Sequence, residues 1–168
     1  TYTPEEGNII FDEQTIKGLA PHDVAQLGLV RTFQIVKPFA ALSVVDNVKV
    51  GAFLRNQNAR DAEAKAREIV EFVGLVASTN RLAKNLTTAG RKRLELARAL
   101  ATEPRMLLLD EVMAGLTPTE SRQIVDVIRQ IKVQYNLTLL VIEHVMQAVM
   151  ALSDRIAVLH HGQLIAVD

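Results

Sequence analysis

Met106-Leu107-Leu108-Leu109-Asp110-Glu111 decides the fold of this chain. An unbroken apolar run, without the alternation of a half-exposed strand, reads as a strand covered on both faces of a parallel sheet. Two adjacent carboxylates at its C-terminal end sit where open α/β sheets bind ligands. Asp110 is placed to hold Mg²⁺ through water, and Glu111 to orient or deprotonate an attacking water. Acidic residues also follow apolar strands simply because the chain has reached solvent, so the stretch needs its context.

C-terminal to it the pattern alternates. Thr117-Pro118-Thr119-Glu120 opens a helix with three concordant signals: Thr117 caps, Pro118 suits the first helical position, and Glu120 completes the box. Ile124, Val127, Ile128 and Ile131 supply that helix's apolar face. A buried strand, Thr138–Ile142, follows, then a helix from about Val145 to Leu152 and a strand Arg155–Leu159. His160-His161-Gly162 reads as a solvated hairpin turn rather than a metal site, because no carboxylate or cysteine lies nearby to complete one. The strand Gln163–Val167 closes the series, and this order predicts α/β layering.

N-terminal to it lie the strand candidate Ile9–Phe11, a short helix Pro21–Gln26 ended by Gly28, and the strand Leu29–Phe33. Helical patterns then take over. Ser43-x-x-Asp46 resembles a capping box opening Val44–Arg55. Ala62, Ala66, Ile69, Val70 and Val73 share one face of a second helix, which stops at Gly74. Leu94, Ala97, Arg98 and Ala101 fall at helical spacing in a third, from about Gly90 to Ala101. The chain thus divides into 1–35 and 96–168, which form an α/β core, and 36–95, a helical insertion.

Composition sets the bounds. The chain has 168 residues, of which 49% are apolar, enough for a sizeable core. Lys plus Arg and Asp plus Glu number 19 each, so bulk charge recruits neither nucleic acid nor an anionic membrane. There are no cysteines, which excludes disulfides and thiolate metal sites. Thr1 to Gly7 shows no signal-peptide pattern, and no apolar stretch approaches the ~20 residues that span a bilayer. The chain reads as soluble or peripheral to a membrane.

Three further features carry chemistry. Thr87-Thr88-Ala89-Gly90 are small residues at a helix N-terminus, where exposed amides and the helix dipole favour phosphate, including one presented by another subunit. An ordinary capped amphipathic helix has the same look. His144 ends the strand after Glu111's and could contact a γ-phosphate and the attacking water. Gln34 ends the strand Leu29–Phe33, where its amide could reach Mg²⁺ or that water.

Together these residues resemble the ABC transporter ATPase family, across essentially the whole chain. Gln34 matches the Q-loop, Leu86–Gly90 the signature motif, and Met106–Glu111 the Walker B strand and catalytic carboxylate. Ala114-Gly115-Leu116-Thr117 matches the D-loop and His144 the switch histidine. The resemblance implies a P-loop NTPase fold with an inserted α-helical subdomain, and ATP and Mg²⁺ as ligands. It implies Glu111 and His144 as catalytic residues, and Asp110 and Gln34 as metal-binding ones. Gln34, Thr87, Thr88, Ala89, Gly90 and Gly115 would contact nucleotide. Arg31-Thr32-Phe33-Gln34, the segment Phe39–Val50 and the helix Gly90–Leu100 are similar to the ATPases of branched-chain amino acid importers. Implied partners are integral-membrane permease subunits, a second ATPase subunit in a homo- or heterodimer, and indirectly a periplasmic binding protein. Nucleic acid is not among them. The implied location is peripheral, on the cytoplasmic face of the cell membrane.

The sequence also departs from the family. No G-x-x-x-x-G-K-[ST] occurs in residues 1–168. The family places that phosphate loop before the segment matching Thr1–Phe11, and its strand is expected beside Met106–Leu109. Without the loop these residues are expected to bind ATP poorly and not to turn it over, and without its strand to leave apolar edge groups unpaired. In the signature, Thr87 stands for the usual serine, Thr88 and Ala89 for two glycines, and Gly90 for glutamine, so the glutamine side-chain contact is lost. Val112 stands where proline is usual. Two other readings follow: a catalytically silent module docking to a permease, and the ATPase of a lipid or lipopolysaccharide exporter. The Arg-Thr-Phe-Gln strand ranks the exporter lower.

Overall fold

A computed structural model describes residues 4–168; Thr1–Thr3, the start of the segment read for a leader, lie outside the described residues. A small hairpin comes first, β1 (Ile10–Phe11) against β2 (Gln14–Thr15). Asp12 and Glu13 turn it with φ of 51° and 64°. Both central residues of a type I′ hairpin turn adopt this hand, which matches the twist of the strands. Helix α1 (Pro21–Gln26) begins, as expected, with proline in its first turn.

The central sheet holds β3 (Leu29–Arg31), β4 (Met106–Asp110) and β5 (Thr138–Ile142), ordered β3-β4-β5 and parallel throughout. Both edges of β4 are therefore taken. This corrects the expectation that a further strand belongs beside it: the outer strands of this sheet are β3 and β5. β3 stops two residues short of Phe33. The Thr32 amide makes the last backbone bond to β4, donating to Leu108 O, and the Phe33 amide leaves the ladder to donate to a Glu95 carboxylate oxygen. Burial also differs from expectation. Leu107 and Leu109 are buried, but Met106, Leu108 and Asp110 on the other face of β4 are only half-buried. β5 is not a buried strand: Leu140 and Ile142 are 51% and 59% exposed. It is an outer strand with one face on the core, and side chains two apart share a face.

Helices α2 (Val44–Ala52), α3 (Ala59–Phe72) and α4 (Thr88–Leu100) pack on one another. Ser43 caps α2 by accepting from the Asp46 amide. The box is not reciprocal, because the Asp46 carboxylate accepts from the Ser43 hydroxyl instead. α2 ends at Ala52 rather than Arg55, whose guanidinium turns away to Thr102 O and Gln26 O. On α3 the expected face is buried, with Ala62, Ala66, Ile69 and Val73 fully so. Gly74 follows at φ +74°, and any β-carbon there would stand 2.7 Å from Arg93 Nη1. That guanidinium donates to Val73 O, closing the helix end from α4.

α5 (Pro118–Gln134) opens with the complete capping box of Thr117 and Glu120 and buries Ile124, Val127, Ile128 and Ile131. α6 (Met146–Leu152), β6 (Ala157–His160) and β7 (Gln163–Val167) follow. The β6–β7 hairpin turns at His161 and Gly162, φ 47° and 76°, as the sequence predicts. Among the described residues no group of His, Asp and Glu is placed to hold a metal, and no helix is long and apolar enough to cross a membrane.

Candidate functional site

The candidate residues stand on the C-terminal ends of β3, β4 and β5 and on the N-terminal end of α4. The register that pairs Arg31 with Leu108 and Asp110 with Ile142 sets them side by side. Thr32, 1% exposed, ties the first two strand ends: its hydroxyl donates to Leu108 O and accepts from the Asp110 amide, both at 3.3 Å.

Gln34 and Glu111 meet directly, the Gln34 amide Nε2 donating to Glu111 Oε2 at 2.5 Å. Asp110 next to them accepts from Arg31 Nη2 at 2.6 Å. Glu111 adopts φ +45°, a left-handed conformation rare outside glycine and held only where neighbours fix it. Its amide donates to Ile142 O at 2.9 Å and its carbonyl accepts from the Ala114 amide at 3.1 Å. The side chain is thereby turned off the strand line toward Gln34. A cavity of about 510 Å³ opens here, lined by Arg31, Phe33, Gln34, Glu95 and Asp110 among others. Cavities of similar volume occur elsewhere, one of about 560 Å³ at the other end of β4 by Phe11, Asp12 and Arg105. The gathered side chains, not the volume, mark the site.

Gly115 and His144 fall in a second concavity of about 560 Å³, with Met113, Leu116 and Val125. His144 is exposed and makes no hydrogen bond among the described residues, so the structure does not join it to Glu111. Glu143 beside it is anchored, its Oε1 accepting from the Met113 amide at 2.8 Å. Thr87 caps α4 by accepting from the Gly90 amide at 3.1 Å, so that amide is already engaged. The Thr88 and Ala89 amides stand in the first turn, where a helix supplies no acceptor. A β-carbon at Gly115 would lie 3.8 Å from Thr88 Cγ2, so the loop after Glu111 runs beside this helix start.

Sequence reasoning missed the residues that join these parts. Lys92, 4% exposed, donates from Nζ to Gln34 O at 3.1 Å and to Glu111 O at 3.3 Å. Glu95, 7% exposed, accepts the Phe33 amide on Oε1 at 2.7 Å, while its Oε2 is buried without a partner. Burial pushes the Glu95 carboxyl above its ordinary range, against the Phe33 amide and the Lys92 and Arg98 charges that pull it down. Arg98 donates to Lys37 O at 3.2 Å and lies over the Phe39 ring. Asn47, fully buried, donates to Phe39 O, Leu42 O and Ser43 O and accepts from the Phe39 amide. A signal was present: Lys92, Glu95, Leu96 and Ala99 stand at the spacing of one helix face, whose apolar members mark it as buried.

A parallel sheet with carboxylates and a glutamine at its strand ends, flanked by a helical layer whose N-terminus lies beside them, defines a nucleotide-binding cassette. The chain belongs to the ABC transporter family, whose model matches residues 1–114. It is 37% identical to the high-affinity branched-chain amino acid transport ATP-binding protein LivG of Escherichia coli K12, over 98% of this chain and 71% of that one. The corresponding protein BraF of Pseudomonas aeruginosa shows the same identity and coverage. Among solved structures, the ATP-binding cassette MJ1267 in its ADP conformation superposes with a TM-score of 0.83 at 29% identity, over 97% of this chain and 69% of that chain. The dimeric cassette MJ0796 bound to ADP and Pi reaches 0.87 at 20% identity, which speaks for the fold alone. The fold is thus the P-loop NTPase fold of ABC ATPases.

Proposed function

We propose that the intact subunit carrying these residues binds and hydrolyses ATP to energise an importer of branched-chain amino acids. The observation that carries the reading is the Gln34–Glu111 contact beside Asp110, at adjacent strand ends where an α/β sheet presents its ligand site. The substrate class rests on likeness to the two transport proteins named above, which extends over nearly the whole chain.

In this reading Glu111 accepts a proton from, or orients, the attacking water, and Gln34 fixes the carboxylate's aim from the neighbouring strand. His144 is the second catalytic side chain. It would move toward the phosphate from the cleft it now shares with Gly115. Thr87, Thr88, Ala89 and Gly90 contact the nucleotide of a facing subunit, together with Gly115. Mg²⁺, when bound, neutralises phosphate charge. Asp110 and Gln34 would hold it, and they fit. They are oxygen donors, and a site with few protein ligands is what an ion that keeps water and phosphate in its shell requires. The helical part, residues 36–95, docks to permease subunits, while 1–35 and 96–168 form the catalytic core. A periplasmic binding protein delivers the amino acid, and the subunit works at the cytoplasmic face of the membrane.

For the subunit carrying these residues, Glu111→Gln should leave MgATP binding intact and lower turnover by about 100-fold or more. Retained turnover removes Glu111 from the role. Reconstituted with permease and binding protein, ATP hydrolysis should rise when leucine, isoleucine or valine is supplied. Stimulation by lipid instead would select the exporter reading. Residues 1–168 hold no phosphate-loop motif, so we infer that they bind MgATP weakly when alone. Micromolar binding by titration calorimetry would refute that.

A further inference from the structure

Lys92 is an expensive residue where it stands. A buried ammonium loses several kcal/mol of hydration unless its donors are well used, and Lys92 makes no ion pair with any described carboxylate. Its bonds go to two backbone carbonyls, those of Gln34 and Glu111, which lie 77 positions apart in sequence on separate strand exits. These are the two residues whose side chains meet at 2.5 Å. The Glu111 carbonyl belongs to a left-handed residue, so a donor on that oxygen favours the conformer that aims the carboxylate. On the same helix Glu95 fixes the Phe33 amide and Arg98 fixes Lys37 O. Segment 33–37 is therefore held along α4, and Lys92 alone of the three also reaches the β4 side.

We infer that Lys92 is a positioning residue for hydrolysis: its ammonium, fixed by α4, holds the Gln34 and Glu111 backbones together and so sets the aim of the Glu111 carboxylate. The inference rests on the function proposed above and extends it to a residue outside the motifs. It also makes α4 a single body that presents Thr87–Gly90 at one end and controls the Gln34–Glu111 pair from its second turn. A displacement of that helix start would be felt at the carboxylate without passing through the sheet.

The test uses the full nucleotide-binding subunit and two variants, Lys92→Met and Lys92→Arg. Methionine keeps the length and loses the donors, and arginine keeps a charged donor. Lys92→Met should lower kcat by about 10- to 100-fold, as expected for a sub-ångström to 1 Å misplacement of a reacting group. It should leave KM for MgATP within about threefold. Lys92→Arg should recover most of the loss. Alongside, the Gln34 side-chain amide is followed by ¹⁵N NMR without nucleotide. It should be protected from solvent exchange in the wild type and Lys92→Arg, and exposed in Lys92→Met. Wild-type kcat in Lys92→Met overturns the inference, and so does an unchanged Gln34 amide. A kcat loss that parallels loss of folded protein, unrescued by arginine, overturns it too. If the wild-type subunit hydrolyses no ATP, the functional reading falls, and the Gln34 amide still decides the positioning claim.

Discussion

Gly51 sits near the C-terminal end of α2 where that helix meets α4, and a β-carbon there would stand 2.4 Å from the Arg98 carbonyl oxygen and 3.2 Å from Ala101 Cβ. Gly51→Ala sets two effects against each other. Within a helix, alanine in place of glycine gains at most about 1 kcal/mol, and less near an end. Carbon and oxygen approach comfortably only to about 3.3 Å, so α2 and α4 would have to part locally by roughly 1 Å. The obstacle is backbone in the last turn of α4, and no rotamer change relieves it. Parting the helices loosens Val48 and Ala52 against Ala97 and Ala101, all fully buried. Overpacking of this kind costs about 1–3 kcal/mol, so the clash outweighs the propensity gain. A net loss of about 1–2 kcal/mol should lower the melting temperature by roughly 2–8 °C in a chain of this size. Thermal melts followed by circular dichroism check it. Adding Ala101→Gly should not restore the loss, since the nearest atom is the carbonyl oxygen rather than the methyl. A Gly51→Ala chain that melts at or above the wild type would refute the reasoning.

Leu107→Ala, at a fully buried position of the central strand, should cost about 2–5 kcal/mol in urea unfolding, and a loss under 1 kcal/mol would mean the site collapses around the gap. Thr117→Ala removes the α5 cap and should cost about 1 kcal/mol, read in the same assay. The Glu120 carboxyl is held below its ordinary range first by the Thr117 amide, then by its hydroxyl. Its stabilisation is present above the unfolded carboxylate range and lost as pH falls through the folded value, so the melting gap between wild type and Glu120→Gln should close on acidification. Glu95 runs the other way, because burial raises it. Wild type should be best relative to Glu95→Gln in acid and lose ground as pH rises through the folded value, and matching slopes for the two variants would refute one assignment.

Local signals were legible where one residue type has one use. Thr117, Pro118 and Glu120 mark a helix start that the structure reproduces bond for bond. Gly74 marks a stop at a position of positive φ. Apolar periodicity gave the buried face of α3 without error. The β1–β2 hairpin was half missed because its turn uses Asp12 and Glu13 in a conformation usually signalled by Asn-Gly, and Gln14–Thr15 has no apolar pattern. An apolar run states that a strand can be covered, not that it is, which is why Thr138–Ile142 read as buried and stands half exposed. At the site, Gln34, Asp110 and Glu111 could be named from their strand ends, and the structure brings them together. His144 could be named too, but a side chain on an exposed turn is not placed by register.

Gln34, Glu111 and His144 follow strand ends, Gly115 lies in a loop and Thr87–Gly90 begin a helix, so strand register alone does not place them. Strand ends diverge as the sheet twists, and β3 and β4 cease to share backbone bonds just before Gln34 and Glu111. Something outside the sheet must close that gap, and an apolar contact would not specify the two carbonyls. The charged face of α4 does so with Lys92, and with Glu95 and Arg98 along the segment that follows. Buried charge is costly where an aliphatic side chain would pack as well. Its presence opposite loose strand ends is therefore explained by geometry that only directional donors and acceptors can set, and the Gln34–Glu111 pair is as well defined as its hold on α4.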